Sequence, residues 1–357
     1  MSGVYRLSMN FNLRSVKSAD VKNKTVMLRA DLDVPIKNSL IEDDSRLKAW
    51  FATLNYLLEE GATVIIVGHL GRPVGKDSKF SLLPVAEWIK NKLRFQNELK
   101  KTKVGEFKAW EITDKIFLLE NIRFYAEEEK NDSQFAKKLA SIAQVFVNDA
   151  FASSHRSHAS IVGVTKFLPS FAGLRVLEEV KVLSQVLEAP QRPLGVIIGG
   201  AKIETKLPLV EKMHGFADYV LVGGEIVDND KVLLKVAHER VHGKSILLMA
   251  DTIENKQDAT LRSVENFLQV LQSAKTIVWN GPLGKIEDEQ YQKSTEILAE
   301  GIVKIPAFTI VGGGDTIGFL KKKNLLKKFS FASTGGGAML EFLSGEKLPG
   351  LVALEQK

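Results

Sequence analysis

Continuous apolar runs alternate with segments of helical periodicity in the first half of the chain. The runs predict four strands, at Thr25–Arg29, Thr63–His69, Ile116–Arg123 and Val145–Ala150. Between the first two strands, apolar residues recur at helical spacing from Leu47 to Leu58, and Gly61 ends this helix. Uninterrupted apolar strands that alternate with helices are typical of parallel sheets covered on both faces. The pattern therefore predicts an α/β fold.

The second half of the chain repeats one pattern five times, in which a short apolar run ends in a glycine-rich turn. Glycine just past a strand indicates a sharp backbone bend or a close approach to a ligand. In a parallel sheet such turns lie along one edge, where helix N-termini and bare amides bind phosphate. The segments are L-G-V-I-I-G-G-A-K (194–202), Y-V-L-V-G-G (219–224), T-I-V-W-N-G-P-L-G (276–284), F-T-I-V-G-G-G-D-T (308–316) and F-A-S-T-G-G-G-A (331–338).

A single amphipathic helix is predicted over Gly173–Glu188, and two prolines in the following five residues end it. The chain has 357 residues and is 45 % hydrophobic, which is enough for two well-packed domains. The domain boundary is therefore expected near this helix.

Composition excludes several classes of protein. The chain has no cysteine, so it forms neither disulfides nor thiolate metal sites, and a reducing compartment is compatible with it. Its N-terminus lacks a signal-peptide core, and no apolar run approaches the roughly 20 residues that cross a bilayer. We expect a soluble, cytoplasmic protein with no membrane partner.

The net charge of +6 raises the alternative of a nucleic-acid binder. Its support is confined to lysine clusters at 100–103, 321–323 and 327–328, which lack the interleaved aromatic residues of a single-strand binder. Solvated helix faces explain such clusters more simply. We therefore expect no nucleic-acid partner.

Arginine carries more information than lysine, because nine of the twelve arginines lie in the first half of the chain. Several occur at or just after a predicted strand end or helix start, and parallel strands would bring them to one rim. Guanidinium groups that converge in this way suit a small molecule with several anionic oxygens, whereas isolated ones are commonly surface ion pairs. These residues are Arg29, Arg46, Arg72, Arg123 and Arg156.

Two other nucleotide-binding motifs are absent from the sequence. Residues 195–202 approach a Walker A loop, but Ala201 precedes the lysine and no Ser or Thr follows it. No G-x-G-x-x-G supports a dinucleotide site. Asp149, His155 and His158 are residue types that could form a metal site. We favour a role for them in packing or in a substrate-binding loop.

The chain resembles the phosphoglycerate kinase family in eight blocks, which follow the family's order from about residue 20 to residue 352. Each block alone is modest, but eight in order are highly specific. They are R-A-D-L-D-V-P (29–35), G-H-L-G-R-P (68–73), L-L-E-N-I-R-F-Y (118–125), F-V-N-D-A-F-A-S-S-H-R-S-H-A-S (146–160), G-G-A-K-I-E-T-K (199–206), V-W-N-G-P-L-G (278–284), V-G-G-G-D-T (311–316) and S-T-G-G-G-A (333–338) with a trailing L-P-G.

The resemblance implies reversible phosphoryl transfer from 1,3-bisphosphoglycerate to Mg-ADP, giving 3-phosphoglycerate and ATP in glycolysis or gluconeogenesis. It also implies a monomer of two similar-sized Rossmann-like domains, each a parallel sheet flanked by helices, that close about a hinge helix. Residues 1–172 would bind phosphoglycerate, with the tail 345–357 packed against them. Residues 173–189 would be the hinge, and 190–344 would bind nucleotide.

In the first domain the resemblance implies that Asp31 contacts the glycerate hydroxyl, with Asp33 beside the substrate. Arg46 would lie nearest the transferring group and act in catalysis with Lys202, Gly336 and Gly337. The cup for the substrate's phosphate and carboxylate would be formed by His69, Arg72, Arg123 and Arg156.

In the second domain Lys206 would hold a nucleotide phosphate, Asp315 would bind Mg²⁺ with Thr316 beside it, and Glu287 would take the ribose hydroxyls. ATP or ADP is the implied co-substrate. The remaining nucleotide contacts would come from Gly200, Ala201, Lys202, Gly223, Asn280, Pro282, Gly284, Gly313 and Gly314.

The chain departs from the family pattern in two places. Asp33 stands where the family has asparagine, which places a second carboxylate beside an anionic ligand, so substrate affinity is expected to differ. On the nucleotide side, Glu225 through Asn229 replace the usual small and apolar residues, the segment from Gly224 to Met249 is short, and the family's G-x-D-x-G-P is not recognisable near 255–260. Nucleotide preference therefore stays open.

The alternative to an active kinase is a reduced paralogue that binds nucleotide or anion as a scaffold or regulator. A pure binding module does not need a full phosphoryl-transfer set. The joint presence of Arg46, Lys202, Lys206 and Asp315 favours the enzyme.

Overall fold

Two β-sheets organise the chain, one in each of two units. A computed structural model describes residues 11–201, 203–229 and 245–355. The first unit contains 11–181 and 347–355 of these residues, and the second contains those between 182 and 346. The division falls inside the helix Leu174–Glu188.

The first unit holds a seven-stranded sheet of order β5-β6-β7-β4-β1-β8-β9 and a separate hairpin, β2-β3. Strands β4, β1, β8 and β9 pair in parallel, as does β7 with β4, which confirms the parallel arrangement predicted from the apolar runs. The β5-β6-β7 edge is antiparallel, and periodicity did not predict it. The strands are β1 Thr25–Arg29, β2 Ile36–Lys37, β3 Leu40–Ile41, β4 Thr63–Val67, β5 Lys100–Val104, β6 Phe107–Thr113, β7 Ile116–Leu119, β8 Val145–Asn148 and β9 Ser170–Ala172.

The second unit holds a six-stranded sheet of order β12-β11-β10-β13-β14-β15, in which every neighbouring pair is parallel. Register along its rim is uniform, because Ile198 pairs with both Val222 and Asn280, and Asn280 pairs with Gly312. The residues that follow these positions therefore lie at one level. The strands are β10 Leu194–Ile198, β11 Tyr219–Val222, β12 Ile246–Met249, β13 Thr276–Asn280, β14 Phe308–Gly312 and β15 Phe331–Ala332.

Helices cover the sheets by burying one apolar face each. In the helix Ser45–Glu59, the predicted stripe that includes Leu47, Trp50 and Leu54 is fully buried in the core of the first unit. None of the described helices is long and apolar enough to cross a membrane. The α-helices are α1 Ser45–Glu59, α2 Leu83–Lys92, α3 Ala126–Glu129, α4 Ser133–Ala140, α5 Leu174–Glu188, α6 Ile203–His214, α7 Leu261–Leu271, α8 Lys293–Ile302, α9 Gly314–Lys322, α10 Gly336–Leu343 and α11 Pro349–Val352.

Three strands of the first sheet end earlier than the apolar pattern predicts, two of them at asparagine side chains. Asn121 Oδ1 accepts the amide of Arg123 at 3.1 Å and starts a 3₁₀ helix, Ile122–Phe124. Asn148 Oδ1 accepts the amide of Ala150 at 3.0 Å in the same way. Side chains that bond nearby backbone in this manner compete with the sheet ladder. Arg123 therefore lies in this short helix beyond the strand, and Ala150 lies on a loop.

The end of the chain returns to the first unit. The amide of Gly350 donates to Ser154 O at 2.8 Å, and Glu355 forms an antiparallel bridge with Leu13. An added Cβ at Gly350 would lie 2.8 to 3.1 Å from Ile161 and Ser154. The L-P-G segment thus packs directly on the loop that carries Arg156.

Asp149 fixes the start of α5. Its Oδ1 accepts the amides of Arg175 and Val176 at 2.9 and 3.0 Å, while Gly173 leaves no room for a side chain against the carboxylate. Burial raises the pKa of Asp149 to about 7, against bonds from Thr53 and these amides that lower it.

Asp149→Asn should remove a pH dependence of folding. With its pKa at about 7 when folded and 3.8 as the ordinary value, Asp149 binds a proton in the folded state that the unfolded chain releases, so it lowers stability as pH rises from about 4 to about 7. Asparagine keeps an acceptor for the amides. We expect the stability of wild type relative to the variant to fall by about 1 kcal/mol per pH unit in this window, measured by urea unfolding. If the free energies of unfolding of wild type and variant changed equally with pH, Asp149 would not be the titrating group.

Candidate active site

The C-terminal ends of β1, β4 and β8 form one rim of the first sheet. Arg29 pairs with Val67 and with Asn148, so the residues just beyond them lie at one level. These residues include Asp31 and His69. The structure thus brings the predicted substrate-site residues of two separate sequence blocks together.

Arg29 lies beneath this rim and does not face a ligand. Its side chain is 1 % exposed. Nε donates to Ser160 Oγ at 2.9 Å, and NH1 donates to Ala30 O at 2.6 Å. The remaining nitrogen, NH2, lies 3.0 Å from His69 Nδ1. The prediction that all five arginines converge on an anion is therefore wrong for Arg29, because its donors are used inside the protein.

This contact with Arg29 sets the tautomer of His69. A guanidinium can only donate, so His69 Nδ1 accepts and the ring proton resides on Nε2. Burial, and then the charges of Arg29 and Arg156, hold the pKa of His69 well below its usual value. His69 is consequently a neutral donor at the rim, with Nε2 3.9 Å from Asp33 Oδ2.

Glu128 and Ser160 complete the support of Arg29, and sequence reasoning missed both. Glu128 is fully buried and accepts from the amide and hydroxyl of Ser160 at 2.9 and 2.5 Å. Burial raises the pKa of Glu128, while the charge of Arg29 acts in the opposite direction. Ser160 ends a recognised block, but Glu128 lies in a Glu127–Glu129 run that is typical of a solvated face, so no sequence signal marked it.

Asp31 is a buried carboxylate whose hydrogen-bonding capacity is poorly satisfied by the described residues. It is 4 % exposed and neither oxygen has a well-formed hydrogen bond within them, although the nearby Asp33 amide acts to lower its pKa. The nearest cation is Arg46, whose Nε lies 3.7 Å from Oδ2. Burial raises the pKa of Asp31, and the charge of Arg46 opposes this. Unsatisfied buried acceptors are costly, so their presence in a native site indicates a ligand donor.

Asp33 is joined to three parts of the rim. Its Oδ1 accepts the Gly71 amide at 2.8 Å, its backbone oxygen accepts from Arg46 at 2.8 Å, and its Oδ2 faces His69. The residue that departs from the family pattern is therefore half-buried inside the site, with one oxygen used to hold the loop that carries Arg72.

The other predicted arginines occupy different positions. Arg123 is largely buried, donates to Gly71 O at 2.7 Å and lies 3.0 Å from Glu129. Arg156 is half-buried beside His155, close enough for its charge to lower the pKa of His69. Arg72 is exposed. Arg123 thus shares the Gly71 loop with Asp33.

Glycine turns line the rim of the second sheet at one level, as the sequence pattern predicts. The amides of Gly199 and Gly200 donate to Asn280 O and Pro282 O at 2.9 and 2.7 Å, which joins two of the turns. Gly200 also packs against Gly224, where an added Cβ would collide with the Gly200 backbone. The close backbone approach explains why these positions lack side chains.

Lys206 reaches back from α6 into this cluster. Its Nζ donates to Gly199 O, and a Cβ at either Gly200 or Gly281 would collide with the ammonium. The side chain is 8 % exposed. The predicted catalytic Lys202 lies outside the described residues.

The start of α9 carries the predicted metal residue. Gly313 adopts a φ of 93°, which directs the chain into the helix, and Asp315 is exposed in its first turn. Thr316 is fully buried and its hydroxyl accepts the Gly281 amide at 3.0 Å, so it joins α9 to the β13 turn. Beneath the turn, Asn280 Nδ2 is buried and has no partner in the described part of the chain.

The remaining predicted residues divide into open and packed positions. Gly314, Gly336 and Gly337 have open space where a side chain would be, as expected for backbone that faces a ligand. Gly223 and Gly284 instead pack against Leu283 and Asp258. Ala201 and Glu287 are exposed. Part of the altered segment between Gly224 and Met249, namely 230–244, lies outside the described residues.

Comparison with known proteins agrees with this geometry. A family profile described as phosphoglycerate kinase matches residues 16–255 and 230–346. A phosphoglycerate kinase of Coprothermobacter proteolyticus is 38 % identical over 96 % of this chain and 98 % of that protein. One of Finegoldia magna is 37 % identical over 97 % and 100 %, and phosphoglycerate kinase 3, cytosolic, of Arabidopsis thaliana is 37 % identical over 96 % and 98 %.

Solved structures show the same similarity. Phosphoglycerate kinase from Coxiella burnetii superposes with a TM-score of 0.78 at 31 % identity, covering 96 % of this chain and 98 % of that one. The enzyme from Pyrococcus horikoshii gives 0.80 at 30 % identity with the same coverage. With its two parallel-dominated sheets and its near full-length similarity, the chain belongs to the phosphoglycerate kinase family.

Proposed function

We propose that this enzyme transfers a phosphoryl group reversibly between the acyl phosphate of 1,3-bisphosphoglycerate and Mg-ADP, through the residues described above. Its place in the kinase family establishes the phosphotransferase class and ATP or ADP as co-substrate. The observation that carries the residue-level proposal is Asp31, whose two buried oxygens have no well-formed hydrogen bond among the described residues beside the Arg46 guanidinium. A hydroxylated, anionic substrate supplies both the donor that Asp31 lacks and the negative charge that Arg46 attracts.

The first unit would bind phosphoglycerate. Asp31 accepts the glycerate hydroxyl, and neutral His69 donates through Nε2. The substrate's phosphate and carboxylate bind Arg72, Arg123 and Arg156, of which Arg72 is exposed. Arg46 stabilises charge on the equatorial oxygens of the transferring group, where fixed donors supply most of the catalysis.

The second unit would bind the nucleotide. Lys206 and the open amides at Gly336 and Gly337 face the phosphates, with Lys202 as the second cation. The Asn280 side-chain amide, which has no partner among the described residues, supplies another donor, and Glu287 takes the ribose. Asp315 fits Mg²⁺, because this ion is commonly held by one or two carboxylates together with substrate phosphates. When bound, Mg²⁺ neutralises charge on those phosphates.

The proposal also includes a cytoplasmic monomer whose units close about a hinge in 173–189 during turnover. The alternative of a catalytically reduced scaffold or regulator has no support from the relatives, which carry the name of the enzyme over nearly their full length.

Arg46→Ala should reduce turnover by about 10²- to 10³-fold, because it removes a donor to the transferring group and the nearest cation to Asp31. A coupled assay with 3-phosphoglycerate and a panel of Mg-nucleoside triphosphates measures this and nucleotide preference together. Arg262→Ala, at an exposed arginine, is the matched control and should retain activity. If folded wild-type protein showed no turnover with any nucleotide, kinase activity would be excluded.

Asp33→Asn should raise the affinity for 3-phosphoglycerate several-fold. The change removes one negative charge beside the anion site, and Asn Oδ1 can still accept the Gly71 amide. Calorimetric titration measures the Kd. The control is Asp114→Asn, which removes one negative charge from an exposed position in the same unit. An unchanged or weaker affinity would show that the carboxylate itself is needed.

His69 should remain neutral, with its proton on Nε2, from pH 6.5 to pH 8. This follows from the direction of the shift, because the pKa of His69 is lowered well below its ordinary value of 6.5. Long-range ¹H–¹⁵N NMR reports the tautomer, and His69→Gln assigns the signal. A titration midpoint near the ordinary value of 6.5 would contradict the account.

A further inference from the structure

The first unit also contains a cleft whose lining does not include the rim residues around Asp31. It has a volume of about 1240 Å³ and is bounded by the β5-β6 hairpin, the start of α2 and the loops at 36–39 and 76–81. None of the residues assigned above to phosphoglycerate or nucleotide binding lines it. The kinase reaction therefore gives it no role.

Five lysines from three parts of the fold line this cleft. Two come from β5, one from β6 and two from the 76–81 loop: Lys101, Lys103, Lys108, Lys76 and Lys79. Within the described part of the chain, none of them has a carboxylate within 4.0 Å. Lysine on an exposed edge strand discourages sheet aggregation, which would account for the β5 pair but not for the other three.

The carboxylates that line the cleft are already engaged. Asp77 Oδ1 accepts the amide of Lys79 at 2.9 Å, and Glu87 pairs with Lys90 at 3.0 Å. Glu120 accepts from Ser81 Oγ and from the Leu82 amide at 2.8 and 2.7 Å. Five lysines against three carboxylates therefore leave the cleft with a surplus of positive charge.

The cleft also has an apolar wall. Trp110 lies opposite Lys101 in the hairpin and is 8 % exposed, so a small part of its ring reaches the cleft, and Lys101 Nζ is 5.4 Å from the ring centroid. Leu83 at the start of α2 is 38 % exposed and supplies the more open apolar surface. Aromatic and aliphatic surface beside unpaired cations is the composition of a site for an amphipathic anion.

We propose that this cleft binds a small molecule with a flat apolar body and at least one acidic group. The apolar body packs against Trp110 and Leu83, and the acidic group lies among the lysines of the hairpin. The site is separate from the kinase site, so ligand binding here does not compete with phosphoglycerate or nucleotide.

The test uses anilinonaphthalene sulfonate, an aromatic anion, titrated by fluorescence in saturating Mg-ATP and 3-phosphoglycerate. The double variant Lys101→Gln/Lys103→Gln should weaken its affinity by roughly tenfold. Lys327→Gln/Lys328→Gln, which removes two exposed lysines elsewhere, should leave it unchanged. Both variants should retain kinase activity.

Uncharged phenylnaphthylamine separates charge from apolar surface, because its affinity should be equal in wild type and in the hairpin variant. Hydrogen exchange should show dye-dependent protection within 100–113. The proposal is overturned by equal dye affinity in the hairpin variant and wild type, by displacement of the dye on adding either substrate, or by protection elsewhere only. Since kinase activity is measured separately, these outcomes do not depend on the proposed function.

Discussion

A fully buried guanidinium organises the rim of the first sheet, where we propose that phosphoglycerate binds. Arg29 cannot reach water, so each of its nitrogens must find an acceptor inside the protein. Ser160 and the Ala30 carbonyl take two donors, and His69 takes the third, which fixes the ring as a neutral Nε2–H donor. Glu128 supplies the balancing charge through Ser160. The need to satisfy this one buried guanidinium thus links β1, β4, α3 and the loop after β8.

The rim of the second sheet depends on backbone instead of charge. Uniform parallel register brings the turns after β10, β11, β13 and β14 to one level, and close approach between Gly200, Gly224 and Gly281 excludes side chains. Lys206 fills the space this leaves. The two rims are therefore built differently, the first from charged side chains and the second from closely packed glycine turns with a buried lysine.

Asp33 shows how a departure from a family pattern can be accommodated. Its carboxylate uses one oxygen to hold the Gly71 amide, a role that asparagine can also fill, so the substitution preserves the loop. What changes is the charge beside the proposed substrate. The second departure, around 224–249, falls in the segment proposed for the base end of the nucleotide site, so it bears on nucleotide choice.

Sequence alone determined the fold class, the starts of four of the seven strands of the first sheet and the glycine rim, because apolar periodicity and glycine placement are local properties. It also identified the family through eight ordered blocks. Only the tertiary structure showed that Arg29 turns inward, that Glu128 is its buried counter-charge and that Asp31 lacks a well-formed hydrogen bond among the described residues. It also revealed the antiparallel β5-β6 edge and the cleft beside it. Burial and partner geometry arise from contacts between residues far apart in the chain, and periodicity does not encode them.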